Sequence, residues 1–183
     1  MGRPKLLLEL EGRPLAQHVL AAAARAGLAE IAVVVADPEG PVARALELPA
    51  GARLVANPDA ASGQASSLRA GLAALGPGVG AAVVLLGDQP EVRPDAIRAL
   101  IAAHRQGAGP IIRARYSGRP GHPVLLAREV WEAAAAVGGD RGARALIAER
   151  PDRLAEIEVG GDPPADVDTE EDFAALLRRR AAR

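Results

Sequence analysis

The chain has 183 residues, 49% of them hydrophobic and only 2% aromatic, with a net charge of −1; this is one ordinary domain, able to bury about 70% of its unfolded surface. Trp131, Tyr116 and Phe173 are the only aromatics, so the core must be Ala, Val, Leu and Ile, and near-neutral charge with so few stacking rings argues against a nucleic-acid partner. The absence of cysteine excludes disulfides, thiolate metal sites and a cysteine nucleophile, and His18, His104 and His122 are too scattered for a zinc cluster. The basic start leads into an apolar run too short for a signal peptide, and no stretch approaches membrane-spanning length. A soluble, cytoplasmic protein is expected.

In chain order, Pro14 to Ala26 is predicted as a helix opened by proline and closed by Gly27. Ile31 to Ala36 is a buried strand, Pro41 to Leu48 a short helix, Ala52 to Ala56 a strand and Gln64 to Leu75 a helix. Val83 to Leu86 is a strand and Pro94 to Gln106 a helix with Ile97, Leu100 and Ile101 on one face. Pro110 to Arg115 and Val124 to Leu126 are strands around a loop rich in Gly and Pro. Glu129 to Val137 and Arg141 to Glu149 are helices, Leu154 to Val159 a strand and Thr169 to Arg180 the final helix. This alternation specifies a three-layer α/β/α sandwich around a mostly parallel sheet, without internal repeats or a linker that separates domains.

The most informative stretch is Ala81 to Pro90, an apolar strand that ends in Gly87-Asp88-Gln89-Pro90. In open α/β sheets, ligands bind beyond the carboxyl ends of the strands. A carboxylate at that edge suits magnesium carrying phosphates, although Asp88 as a helix cap is the plainer alternative. Gly2-Arg3-Pro4-Lys5 offers cations of the kind that neutralise a triphosphate, or a solvated terminus. Asn57-Pro58 with Ser62-Gly63-Gln64-Ala65-Ser66-Ser67 puts small polar residues at a helix N-terminus, where free amides favour anions; a plain cap at Ser62 is the alternative. Asp166-Val167-Asp168-Thr169-Glu170-Glu171-Asp172 holds alternating carboxylates and the Thr169–Asp172 spacing of a capping box. Arg178-Arg179-Arg180 lies at a helix C-terminus, where the dipole favours cations.

Together these segments carry a resemblance. Met1-Gly2-Arg3-Pro4-Lys5-Leu6-Leu7, Asn57-Pro58 with Gly63 and Ser67-Leu68, Gly87-Asp88-Gln89-Pro90, Arg119-Pro120-Gly121-His122-Pro123-Val124, Gly139-Asp140-Arg141-Gly142-Ala143-Arg144 and Asp166 to Asp172 follow one another in register over essentially the whole chain. The chain resembles MobA-like nucleotidyltransferases, and within them is most similar to molybdenum cofactor cytidylyltransferases. The resemblance implies a Rossmann-like nucleotidyltransferase fold and magnesium-dependent transfer of CMP from CTP to the phosphate of molybdopterin. It implies Lys5, with Arg3, on the triphosphate, and Asp88 and Asp168 on the metal, with Asp166 as a less certain neighbour. Asn57, Gly63 and Ser67 fall in segments lining the nucleotide pocket, and Gly121, His122 and Pro123 in the part that faces the pterin. Arg141 and Arg144 either meet an anionic substrate or are solvated.

The resemblance has one departure. Family members begin with a strand and a loop of the form LAAGxSxR directly before MGxPK, whereas this chain starts at that Met. The first strand, normally central in the sheet, is therefore expected to be absent, leaving its neighbours with unpaired edges. A longer natural protein is expected, with upstream codons for an apolar run and a Gly/Ser loop. Competing functions are transfer to another phosphorylated small molecule (a sugar phosphate or phospho-acid, with GTP in place of CTP) and a non-catalytic domain that binds a molybdenum enzyme or its maturation factor.

Overall fold

The structure, a computed structural model, describes residues 4–139 and 142–181. In chain order it contains β1 (Glu9–Leu10), β2 (Arg13–Pro14), α1 (Leu15–Arg25), β3 (Ile31–Val35), α2 (Pro41–Arg44), β4 (Ala52–Ala56), α3 (Gln64–Ala74), β5 (Ala81–Val84), α4 (Pro94–Arg105), β6 (Ile111–Tyr116), β7 (Arg119–Ala127), α5 (Trp131–Ala136), α6 (Gly142–Glu149), β8 (Leu154–Glu158) and α7 (Glu170–Ala181). Among the described residues no helix is long and apolar enough to cross a membrane.

The α/β class holds, but the sheet is mixed rather than mostly parallel. β3 pairs with β4 in parallel, and a separate four-stranded sheet has the order β5-β7-β6-β8. Within it only β6–β8 is parallel; β5–β7 and β6–β7 are antiparallel. The reason is local. Ser117 and Gly118, at φ 48° and 84°, form a two-residue turn between β6 and β7, and such a turn can join only antiparallel strands.

The expected Gly/Pro loop at 120–123 is instead the first half of β7. Its register slips between Arg113↔Val124 and Ala114↔Gly121, so His122 and Pro123 bulge out of the ladder. Proline cannot donate to a ladder, and a bulge is where a strand tolerates it. The same bulge ends β5 at Val84, two residues before the expected end, because β7 supplies no partner beyond Val124. α2 is also shorter than expected: Gln17 hydrogen-bonds both backbone groups of Glu47 and draws that residue out of the helix.

Side-chain alternation divides the core between the sheet faces. Ile111, Val124 and Leu126 pack under α3, α5 and α6 with Leu72, Trp131, Ala134 and Leu146. Ile112, Leu125 and Tyr116 pack under α4 with Leu100 and Ala103, and α1 joins this layer through Val19 and Ala22 against Ile97. This yields the three layers.

Between β3 and β5 the sheet is open. Among the described residues β3 pairs only with β4 and β5 only with β7, so their remaining edges lack strand partners. A cavity of about 1080 Å³ separates them, lined by every residue of both strands, by α1 on one side and by α3 on the other. The unpaired edges expected from the sequence are present.

Candidate active site

Three segments meet at the end of this cavity. The chain leaves β5 through Leu85-Leu86 and turns at Gly87-Asp88, where Gly87 packs closely on Leu6: a Cβ there would come within 3.3 Å of Leu6 Cδ2. A short 3-10 turn, Lys5–Leu7, brings Lys5 alongside, and the segment before α7 brings Asp168. Lys5 Nζ donates to Asp88 Oδ2 and to Asp168 Oδ1, each at 2.6 Å. Burial pulls the Lys5 ammonium down, but its hydrogen bonds to Asp168 and Asp88, and the charge of both carboxylates, outweigh that and leave its pKa raised.

Direct ties hold the carboxylate segments together. Val167 N donates to the Asp88 carbonyl at 3.0 Å, and Gln89 Nε2 donates to Asp166 Oδ1 at 2.8 Å. Asp166 is therefore engaged with buried Gln89, a residue that sequence reasoning passed over. Thr169 and Asp172 form the expected capping box: Asp172 N donates to Thr169 Oγ1 at 3.1 Å, and Thr169 N to Asp172 Oδ2 at 2.8 Å. The Thr169 hydroxyl and backbone bonds hold the Asp172 carboxyl below its ordinary pKa. The cap fixes the helix end just beyond Asp168.

The polar turn before α3 lies against the cavity. Asn57 is 4% exposed, and its amide donates to Ser66 Oγ at 2.9 Å and to Ser67 Oγ at 3.0 Å. Gly63, at φ 106°, is the N-cap of α3. Gln64 and Ser67 line the cavity, whereas Asn57 and Gly63 shape the turn behind them. Arg3 lies outside the described residues, as do Asp140 and Arg141.

Of the segment expected to face a second substrate, His122 lines the cavity, while Gly121 packs against Pro163 and Tyr116, where a Cβ would meet atoms at 3.2 Å. Pro123 is buried in the bulge. His122 Nδ1 lies 3.4 Å from the Val84 carbonyl, and Tyr116 Oη donates to the His122 carbonyl at 2.6 Å. Burial holds the His122 pKa below the usual histidine value against that carbonyl contact, and Arg144 pushes the same way. Burial also pushes the Tyr116 hydroxyl up to about 12. Arg144 lines the same cavity, exposed, as does Gly142, whose Cβ would touch the Gln64 side chain at 3.4 Å.

The donor set fits a hard divalent cation. Asp88 Oδ1 is buried without a hydrogen-bond partner, and the Lys5 ammonium holds a positive charge between the carboxylates. Among the described residues no group of three or more His, Cys, Asp or Glu converges. Asp88 and Asp168 would thus be the protein's share, with water and phosphate oxygens completing the shell, as magnesium and manganese bind in nucleotide sites.

The bifunctional protein GlmU of Clavibacter sepedonicus is 36% identical over 104 residues, 56% of this chain and 21% of that protein. The 2-C-methyl-D-erythritol 4-phosphate cytidylyltransferase of Streptomyces avermitilis is 35% identical over 118 residues, 62% of this chain and 47% of that protein. The chain therefore spans less than half the length of either. The crystal structure of Rv0371c from Mycobacterium tuberculosis superposes with a TM-score of 0.85 at 31% identity, covering 97% of this chain and 90% of that one. A second structure of Rv0371c is a complex with manganese. The model of the MobA-like NTP transferase domain matches residues 1–154, most of the chain, and the chain belongs to that family.

Proposed function

We propose that the chain catalyses magnesium-dependent transfer of CMP from CTP to the terminal phosphate of molybdopterin, with release of pyrophosphate. The observation that carries this reading is the Lys5 bridge between Asp88 and Asp168 at the end of a large cavity. An acceptor phosphate oxygen attacks the α-phosphorus. A new P–O bond forms, the bond from that phosphorus to the α–β bridging oxygen breaks, and its electron pair leaves with pyrophosphate. The attacking group is already anionic, so no general base is required, and buried His122 is a contact for the acceptor. Catalysis is then mainly positioning and charge neutralisation. A divalent cation on Asp88 and Asp168 would polarise the α-phosphate when bound. Lys5 neutralises charge gathering on the leaving pyrophosphate. Gln64 and Ser67, at the N-terminus of α3, stand where amide donors and the helix dipole favour anionic groups.

A second reading has its own support. The Streptomyces relative is named for a sugar-like phosphate acceptor, and a small phosphorylated alcohol would use the same carboxylates and lysine. Pyrophosphate release measured for CTP and GTP against molybdopterin and a panel of sugar phosphates separates the readings. Molybdopterin-dependent release with CTP, lost in Asp88→Ala with the fold retained, is the expected result. Release with a sugar phosphate but not with molybdopterin overturns the acceptor assignment, and undiminished release by Asp88→Ala overturns the site.

A further inference from the structure

Lys5, Asp88 and Asp168 come from segments far apart in sequence, and each segment is gripped a second time away from the cluster. Glu91 lies three residues beyond Asp88, Glu11 sits in the β1–β2 turn beyond Lys5, and α7 follows Asp168. At the far end of α7, Arg179 donates to Glu91 at 3.1 Å, and Arg180 reaches Glu11 at 3.4 Å and Glu91 at 4.0 Å. Glu91 is the least solvated member, with its side chain 13% exposed against 43% and 30% for Arg179 and Arg180. Removing either arginine would leave this poorly hydrated carboxylate less well compensated.

α7 connects the two grips. Its 12 residues span about 18 Å, and Leu176 and Phe173, midway along it, pack on Leu10, Leu15 and Val167. Held at its middle, a rigid helix transmits a shift at its arginine end to its capped end, two residues from Asp168. We propose that Arg179 and Arg180 are positioning residues that, through Glu91 and Glu11, set the separation of Asp88 and Asp168 and hence the affinity for a divalent cation. This rests on the metal-site reading above. The dipole alone would place cations at this helix end; the Glu91 and Glu11 contacts give them a further task.

The test is direct Mn2+ binding by the full chain without nucleotide, read as the free Mn2+ electron paramagnetic resonance signal, with circular dichroism confirming the fold. Expected are a loss of roughly tenfold in Mn2+ affinity in Glu91→Gln, as for other outer partners of metal ligands, a similar loss in the more exposed Arg179→Gln, and recovery in the exchange Glu91→Arg with Arg179→Glu. Wild-type affinity in folded Glu91→Gln and Arg179→Gln overturns the proposal, as does failure of the exchange to recover any of the loss. Asp88→Asn separates the two readings. If the wild type binds no Mn2+, or Asp88→Asn binds it unchanged, the metal site itself falls and the positioning role with it; if Asp88→Asn abolishes binding but Glu91→Gln does not weaken it, only the positioning role falls.

Discussion

The carboxyl end of β5 and its edge toward β3 are built differently. At its carboxyl end, Asp88 is tied by a lysine bridge, a backbone bond to Val167 and the Gln89–Asp166 bond. Along its other edge, β5 faces β3 across about 1080 Å³, with no strand between them among the described residues. The tied region has several long-range polar bonds for a handful of residues, whereas the open one is walled mainly by apolar side chains. Charge geometry at the site is therefore fixed by contacts outside the strand ladders. That is why the Lys5–Asp88–Asp168 cluster is assembled although its neighbouring sheet is split.

Core truncations break this contrast most strongly. Leu126→Ala, in the closed half and fully buried, is expected to cost about 2–5 kcal/mol. Val33→Ala, on the wall of the open region and only half-buried, should cost less than about 1.5 kcal/mol. Equal losses in chemical denaturation would mean the region is not open in solution. Filling it sharpens the comparison: an apolar segment of about five residues, a common strand length, followed by a Gly/Ser loop and fused ahead of Met1 should raise Tm by several degrees, since about 1 kcal/mol moves Tm by roughly 2–4 °C in a chain of this size. No rise, or a fall, contradicts a strand-shaped gap.

Smaller effects sit on the tied side. Thr169→Ala removes the cap hydroxyl and is expected to cost about 1 kcal/mol, with Mn2+ affinity weakened in the same variant because Asp168 precedes the cap. The His122 contribution depends on pH. Its folded pKa is lowered by burial, so below about 6.5 the unfolded chain binds the extra proton first. The stability it supplies is present above that value and is lost as pH falls through the folded pKa, with a slope of at most about 1.4 kcal/mol per pH unit. His122→Gln should flatten that part of the stability profile; an unchanged profile would place the titration elsewhere.

Much of the fold follows from local chemistry that is visible in the sequence. Pro94 and Gly107 bracket α4 almost as expected, and the capping spacing Thr169–Asp172 starts α7 within one residue. What escaped has no local signature. β1 and β2 are two residues each, too short for an alternating pattern. Pro120 and Pro123 disguise the start of β7 as a loop: Pro123 is tolerated in the bulge, and Pro120 lies where β7 pairs with β6 and not with β5, both tertiary features. At the site, Lys5, Asp88 and Asp168 stand out as charges next to glycine, proline and a cap, and the structure places them in contact. The bond between Gln89 and Asp166 and the grip of Arg179 on Glu91 join residues 77 and 88 positions apart. No pattern in a single chain marks such pairs. Asn57, which the resemblance puts in a segment lining the nucleotide pocket, spends its amide on Ser66 and Ser67, a contact that local sequence does not mark.

In the proposed function, Lys5, Asp88 and Asp168 form a metal-dependent nucleotide site. The most direct measurement is a calorimetric titration of the 183-residue chain and its Asp88→Ala variant with CTP, with and without magnesium. The account predicts binding that requires magnesium and disappears in Asp88→Ala. Binding that ignores magnesium, or that survives Asp88→Ala unchanged, would contradict it.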